Sequence, residues 1–174
     1  MEQLYMRHKN LNELKPLIIP DEFEITTHKD EYVKDWEQLI EKAFGISFSF
    51  EQTIINGRTV GGYKPEQVLY LKRGNKILAT ATAAERDDYP GEGWFRMIAT
   101  DPEEQGKGLG KLICLAALHS LKERGYKSAV LSTDDHRLPA LKTYLGLGFE
   151  PIYFHESHKE RWEKVFENIN NKSS

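Results

Sequence analysis

Apolar positions along the chain change their period several times, and each change marks an element. Gln67 to Arg73 and Lys76 to Ala84 are two runs of strand formers separated by Gly74 and Asn75, the spacing of a hairpin. A polar loop from Asp87 to Gly93, bearing Pro90 and Gly91, leads into a third strand, Trp94 to Thr100, which completes a meander. Between Tyr32 and Ala43 the period becomes helical, with Val33, Trp36, Leu39, Ile40 and Ala43 on one stripe, Asp30 as the expected N-cap and Gly45 as the stop. Leu109, Leu112, Ile113, Ala116, Ala117 and Leu121 repeat that spacing up to about Arg124, where Gly125 holds the C′ place. Leu115 and Leu118 widen this second stripe, which predicts a helix covered on most sides.

The rest of the pattern fixes the topology. The short apolar strand Ser128 to Ser132 follows the covered helix, so it lies parallel to Trp94 to Thr100 through a right-handed crossover. A further helix is expected from Pro139 to Gly148, then a strand from Phe149 to Phe154 and a helix from Glu156 to Ile169 with Trp162, Val165, Phe166 and Ile169 on its apolar stripe. A polar Asn/Lys/Ser tail ends the chain. Toward the front, Phe23 to Thr26 reads as a short strand, and an aromatic turn holding Phe44, Phe48 and Phe50 precedes a short helix from Glu51 to Asn56. Residues 1–20 show only Leu11, Leu14, Leu17 and Ile18, a pattern open between a loosely attached extension and a short helix. The expectation is one α/β domain of the α+β type over 1–174, with a possible extension at 1–20 and a C-terminal helix and tail at 155–174: a mixed, mostly antiparallel sheet with one parallel pair.

Composition narrows the setting. A length of 174 residues suits one domain with a real core, and a formal charge of -3 with a pI near 6.1 leaves no basic footprint for nucleic acid. Cys114 is the one cysteine, which excludes an internal disulfide. Neither a signal peptide nor a membrane-length apolar run is present, so a cytoplasmic protein is expected.

The candidate chemistry lies where the third meander strand runs into the covered helix, at Ile98-Ala99-Thr100-Asp101-Pro102-Glu103-Glu104-Gln105-Gly106-Lys107-Gly108-Leu109-Gly110-Lys111. Gly106, Gly108 and Gly110 can take positive φ and turn backbone N–H groups toward an anion, and the first helical turn adds partial positive charge. Lys107 and Lys111 supply point charges. Two common owners of such a cradle fail on spacing. A P-loop needs a Gly and a Ser or Thr where Gln105 and Leu112 stand, and a dinucleotide fingerprint needs a Gly at Lys111.

What remains is Gln105-x-x-Gly108-x-Gly110 and, downstream, Ala140-x-x-x-Tyr144-x-x-x-Gly148-Phe149. The pair resembles the Q/R-x-x-G-x-G/A and A-x-x-x-Y-x-x-x-G-F segments of the GNAT superfamily of acyl-CoA-dependent N-acetyltransferases. The resemblance covers Trp94 to Phe149 and implies a GNAT-like sheet with helices on both faces, splayed between its parallel strands to admit acyl-CoA. It implies that Ile98, Ala99 and Thr100 offer backbone groups to the pantetheine arm and an oxyanion donor to the thioester. It further implies that Gln105, Gly106, Lys107, Gly108, Leu109, Gly110 and Lys111 hold the pyrophosphate, and that Tyr144 protonates the departing thiolate. Acetyl-CoA is then the co-substrate, no metal is needed, and an acceptor amine attacks directly. The partners are acetyl-CoA and that amine, with neither nucleic acid nor membrane, and with a homodimer left open.

Three departures from the family pattern matter. The strand Trp94 to Thr100 carries no acidic residue, so Glu85, Glu92, His136 and His155 are candidate bases by chain position alone. Arg137 stands where the family commonly carries Asn, and either serves a cofactor phosphate or pairs with Asp134 or Asp135. Many relatives close with a further strand that pairs back into the sheet, whereas this chain ends in a helix. Cys114 reads as a buried structural thiol, and His155 and His158 as two exposed helix histidines. A CoA-binding sensor without turnover and a nucleotide-dependent enzyme remain the competing classes.

Overall fold

A computed structural model describes residues 2–57 and 63–172. Its strands are β1 (Leu4–His8), β2 (Glu24–Thr27), β3 (Val68–Arg73), β4 (Lys76–Glu85), β5 (Gly93–Thr100), β6 (Ala129–Thr133) and β7 (Glu150–Ile152). Its helices are α1 (Val33–Phe44), α2 (Leu109–Glu123), α3 (Leu138–Gly146) and α4 (Glu156–Asn171). The strands form one sheet in the order β2-β3-β4-β5-β6-β1-β7, in which β5 and β6 are parallel and the other neighbours antiparallel.

The middle of the sheet is buried on both faces. Along β4 the run Leu78-Ala79-Thr80-Ala81-Thr82-Ala83-Ala84 is buried throughout, and its small side chains let helices approach from either side. Ile113, Ala117 and Leu121 of α2 pack with Leu141 of α3 and Trp162 and Val165 of α4 against one face. Trp36, Leu39 and Ile40 of α1, with Phe50 and Ile54 beyond it, cover the other.

The first twenty residues contain β1, which sits inside the sheet between β6 and β7 and is antiparallel to both. Leu4 and Met6 point into the α2 side of the core with no exposure, while Tyr5 and Arg7 take the α1 side. The last described element is α4, and a strand from the first ten residues pairs into this half of the sheet.

Smaller differences have local causes. Asp30 does not cap α1: a single 3₁₀ turn, Asp30–Tyr32, precedes the helix, and Tyr32 is its cap residue. The Glu51 to Asn56 segment is a wide π-type turn, Glu51–Ile55. The last strand shortens to Glu150–Ile152 because Phe154 turns its ring edge-on to Tyr5 at 5.2 Å and the chain bends into α4. His158 is fully buried rather than exposed, its Nδ1 facing the Phe154 N–H at 3.4 Å, while His155 stays in solvent beside Glu2. Met1 and the last two residues of the expected tail lie outside the described residues.

Candidate active site

Two local irregularities open the sheet. Thr82 pairs with Arg96 and Thr80 with Ala99, so Ala81 alone faces both Met97 and Ile98: β5 carries a bulge. Met97 takes φ 49°, the one non-glycine residue with positive φ among those described. A bulge adds twist and bends its strand out of line. The parallel register of β5 with β6 runs from Gly93–Ala129 through Phe95–Leu131 and stops there, although β5 continues to Thr100 and β6 to Thr133. Past Phe95, β5 therefore presents its backbone to a gap rather than to a neighbouring strand.

The glycine loop stands at the far end of that gap. Asp101 holds the strand end in place: its N–H reaches the Leu78 carbonyl at 2.8 Å, and its carboxylate accepts the Glu103 N–H at 3.0 Å. Burial opposes ionisation of this carboxyl, but the Glu103 N–H, Lys42 and Lys76 outweigh it and keep it below the usual carboxylate range. Gly106 and Gly108 adopt φ 81° and 77°, with open space where a Cβ would stand. Gly108 is the N-cap of α2, so the unpaired N–H groups of the first turn point toward the loop. Gly110 departs from the expected positive φ because it already lies inside α2, where an added Cβ would meet Thr100 Oγ1 at 3.3 Å. Gln105 through Gly108 are exposed, Leu109 is buried beneath them, and Lys111 is exposed on the first turn.

Lys107 is not a free charge. Its Nζ lies 2.7 Å from Glu104, whose other carboxylate oxygen takes the Arg73 guanidinium at 2.5 Å. Hydrogen bonds from Arg73 and Lys107 hold the Glu104 carboxyl down at about 2.

Tyr144 projects from α3 into the α2 side of the core, edge-on to Phe149 at 6.0 Å and close to Cys114 and Arg137. Burial raises its phenol well above the ordinary value of 10, with Cys114 adding to the rise and Arg137 opposing it. The same burial pushes the Cys114 thiol up to about 12, as expected of a structural cysteine. Arg137 pairs with Asp134 at 3.5 Å and lies 4.2 Å over the ring of Phe44, a contact between the loop before α3 and the last turn of α1.

Residues 23–149 match the Acetyltransferase (GNAT) family over well more than half of the chain. The chain belongs to the GNAT acetyltransferases. Among solved structures it superimposes on a GCN5-related N-acetyltransferase of Sphaerobacter thermophilus with a TM-score of 0.68 at 18% identity, covering 87% of this chain and 49% of that one. The ribosomal-protein-S18-alanine N-acetyltransferase of Escherichia coli gives a TM-score of 0.62 at 20% identity, over 75% of this chain and 79% of that one. In sequence, a mycothiol acetyltransferase of Nocardia farcinica is 40% identical over 72 residues, 41% of this chain and 24% of that relative. One from Rhodococcus opacus is 39% identical over 74 residues, 42% and 24% of the two chains. The chain thus spans about a quarter of the length of these curated relatives.

The four candidate bases of this GNAT chain are dispersed. Glu85 and Glu92 flank the end of the sheet where β5 and β6 are still paired, and both are occupied. Glu85 accepts from Gln67 at 3.0 Å and from Arg124 at 3.3 Å; Glu92 takes both arms of Arg7 at 2.8 and 2.9 Å and the Ser128 hydroxyl at 3.0 Å. His136 is exposed, and His155 sits 2.9 Å from Glu2. No group of His, Cys, Asp and Glu suited to a metal occurs among the described residues, and no described helix is long and apolar enough to cross a membrane.

Sequence reasoning missed Glu104, Arg96 and Tyr63. Glu104 precedes Lys107 by three residues, a spacing that signals a local pair. Arg96 immediately precedes Met97, and its Nη1 donates to the Tyr63 hydroxyl at 2.8 Å while its guanidinium lies 5.3 Å over the Tyr63 ring. Nothing local in the sequence joins those two residues.

Proposed function

We propose that the chain transfers the acetyl group of acetyl-CoA to a primary amine by direct attack within a ternary complex. The observation that carries this reading is the gap itself: β5 leaves β6 after Phe95, bulges at Met97 and ends in a left-handed glycine loop at the head of α2. An extended thioester with a pyrophosphate at one end suits that arrangement. Gln105 to Lys111 would take the pyrophosphate on backbone N–H groups and the α2 terminus, while Ile98, Ala99 and Thr100 would bond the pantetheine arm. The bulge turns a backbone N–H out of the β4 ladder, as an oxyanion donor to the thioester carbonyl requires.

In the reaction the amine lone pair forms the new C–N bond as the C–S bond breaks. The amine proton passes to water, and Tyr144 donates its phenolic proton to the departing sulfur before regaining one from solvent. A buried phenol stays protonated across the working pH range and so keeps a proton to give. For Arg137 to reach a cofactor phosphate, it must leave Asp134 and Phe44.

The competing reading is a CoA-binding module without turnover, favoured by the lack of a carboxylate on Trp94 to Thr100. Thiol release from acetyl-CoA with a panel of amines separates the two. Turnover that collapses in Tyr144→Phe supports the enzyme; binding of acetyl-CoA with no amine acetylated refutes it. Mycothiol acetyltransferases are matched over only 24% of their length, so an acceptor preference has to come from residues of this chain.

A further inference from the structure

We propose that the acceptor is an amine carrying a carboxylate, and that Arg96 is the residue that selects it. The inference rests on the transferase reading above and adds the class of acceptor.

Position comes first. The glycine loop and α2 belong to one face of the sheet, so a donor anchored there reaches through the gap and presents its thioester toward the opposite face, the one covered by α1. Arg96 is on that opposite face. It pairs across the strands with Thr82, which in turn pairs with Val68 of the α1-side core, and Trp94, two residues earlier, belongs to the same layer. It follows the last paired residue of β5, Phe95, and precedes the left-handed Met97. Arg96 is the one charged residue of β5.

Charge comes second. Each of the other six described arginines lies within 4 Å of a carboxylate. Arg96 has no carboxylate partner among the described residues, and its one side-chain acceptor there is the neutral Tyr63 hydroxyl. A guanidinium is a planar fork of five donors that is always charged, and a half-buried one with an uncompensated charge is a binding site for an anion. Beside it, Thr82 is fully buried and its hydroxyl has no hydrogen-bond partner among the described residues. Within this layer the charge of Arg96 has no carboxylate counterpart and the Thr82 hydroxyl has no hydrogen-bond partner among the described residues, and a bound oxyanion supplies the first.

The local balance also selects the anion. Arg7 and Arg86, on the same face, are already neutralised by Glu92 and Asp88. A single guanidinium fork matches a singly charged, planar carboxylate, whereas a phosphate dianion is better matched by two cations.

The test compares kcat/KM for matched acceptors: several L-amino acids, their carboxamides, the corresponding decarboxylated amines, and glucosamine beside glucosamine 6-phosphate. A charge-assisted bond of the usual strength predicts a preference of about 10- to 100-fold for the acid over its carboxamide, expressed in KM. In Arg96→Gln that ratio should fall toward one; Arg96→Lys, which keeps the charge without the fork, should keep part of it. Tyr63→Phe, which removes the bond that positions Arg96, should raise KM for acids alone. Acetyl-CoA affinity and thermal stability of each variant are measured alongside, because a purely structural Arg96 would lower activity on acids and amides alike. Equal kcat/KM for acid and amide in the unmodified protein, or preference for the phosphate-bearing amine, overturns the acceptor inference and leaves the transferase reading standing. Acetyl-CoA binding without turnover on any amine overturns both.

Discussion

Gly108 and Gly110 look interchangeable in the motif, yet the structure assigns them different constraints. Gly108 sits at φ 77° with open space around its missing Cβ, so the strain of Gly108→Ala comes from the backbone alone. A left-handed L-residue costs about 1–2 kcal/mol, and a loop released from that conformation no longer aims its N–H groups together. If the bound form demands the left-handed turn, acetyl-CoA affinity falls about 5- to 30-fold. Gly110 has ordinary helical φ, and its added Cβ meets only Thr100 Oγ1, at 3.3 Å. A shift of a few tenths of an ångström relieves that contact, and alanine gains up to ~1 kcal/mol of helix propensity over glycine. Gly110→Ala should therefore bind acetyl-CoA like the unmodified protein, with an unchanged or slightly higher Tm. Titration calorimetry with acetyl-CoA and thermal denaturation of both variants decide the matter. Equal loss of affinity in the two, or full affinity in Gly108→Ala, would refute the assignment of the anion site to a left-handed turn.

Other expectations follow from single residues. Leu4→Ala should cost about 2–5 kcal/mol in denaturant unfolding, because Leu4 is wholly buried within the sheet. Ile18→Ala, at a residue 77% exposed, should stay within ~0.5 kcal/mol; similar losses in both would contradict the placement of β1. Tyr144→Phe should lower kcat by on the order of 10²-fold while acetyl-CoA affinity holds, and a loss of folding stability with kcat intact would remove Tyr144 from the chemistry. Cys114 should resist thiol reagents at pH 8 until the protein unfolds. Its folded value of about 12 lies above the unfolded one, so its contribution to stability is complete below the unfolded value and is lost as pH rises toward 12. Cys114→Ala should accordingly lose less stability between pH 9 and 11 than the unmodified chain does, and a parallel decline would sink that account.

Elements whose cause is local were legible in the sequence. The hairpin at Gly74, the covered face of α2 and the glycine loop follow from spacings of a few residues, and each occurs where the pattern places it. The bulge at Met97 was not legible, because two apolar residues opposite one leave the composition of a strand unchanged. β1 was missed because Leu4, Met6 and His8 make a short alternation beside a stronger leucine spacing, and only β6 and β7, more than a hundred residues away, give it a reason to extend. Arg96 escaped notice for a related reason: its want of a carboxylate partner among the described residues is a property of three-dimensional neighbours. The glycine motif and Tyr144 were legible as motifs of a few residues' spacing, whereas the proposed acceptor contact of Arg96 with Tyr63 is made by residues more than thirty positions apart.

The position of β1 also sets an order of assembly. Leu4–His8 leaves the ribosome more than a hundred residues before its partners, Ala129–Thr133 and Glu150–Ile152. Such long loops are slow to close, and until they do the strand stays unpaired with Leu4 and Met6 in water. The sheet from β2 to β5 can form while translation proceeds; the far side of the gap waits for β1 to meet strands more than a hundred residues away. A fragment trimmed to residues 23–149 would keep every motif that identifies the family and lack the strand that holds β6 from its other side.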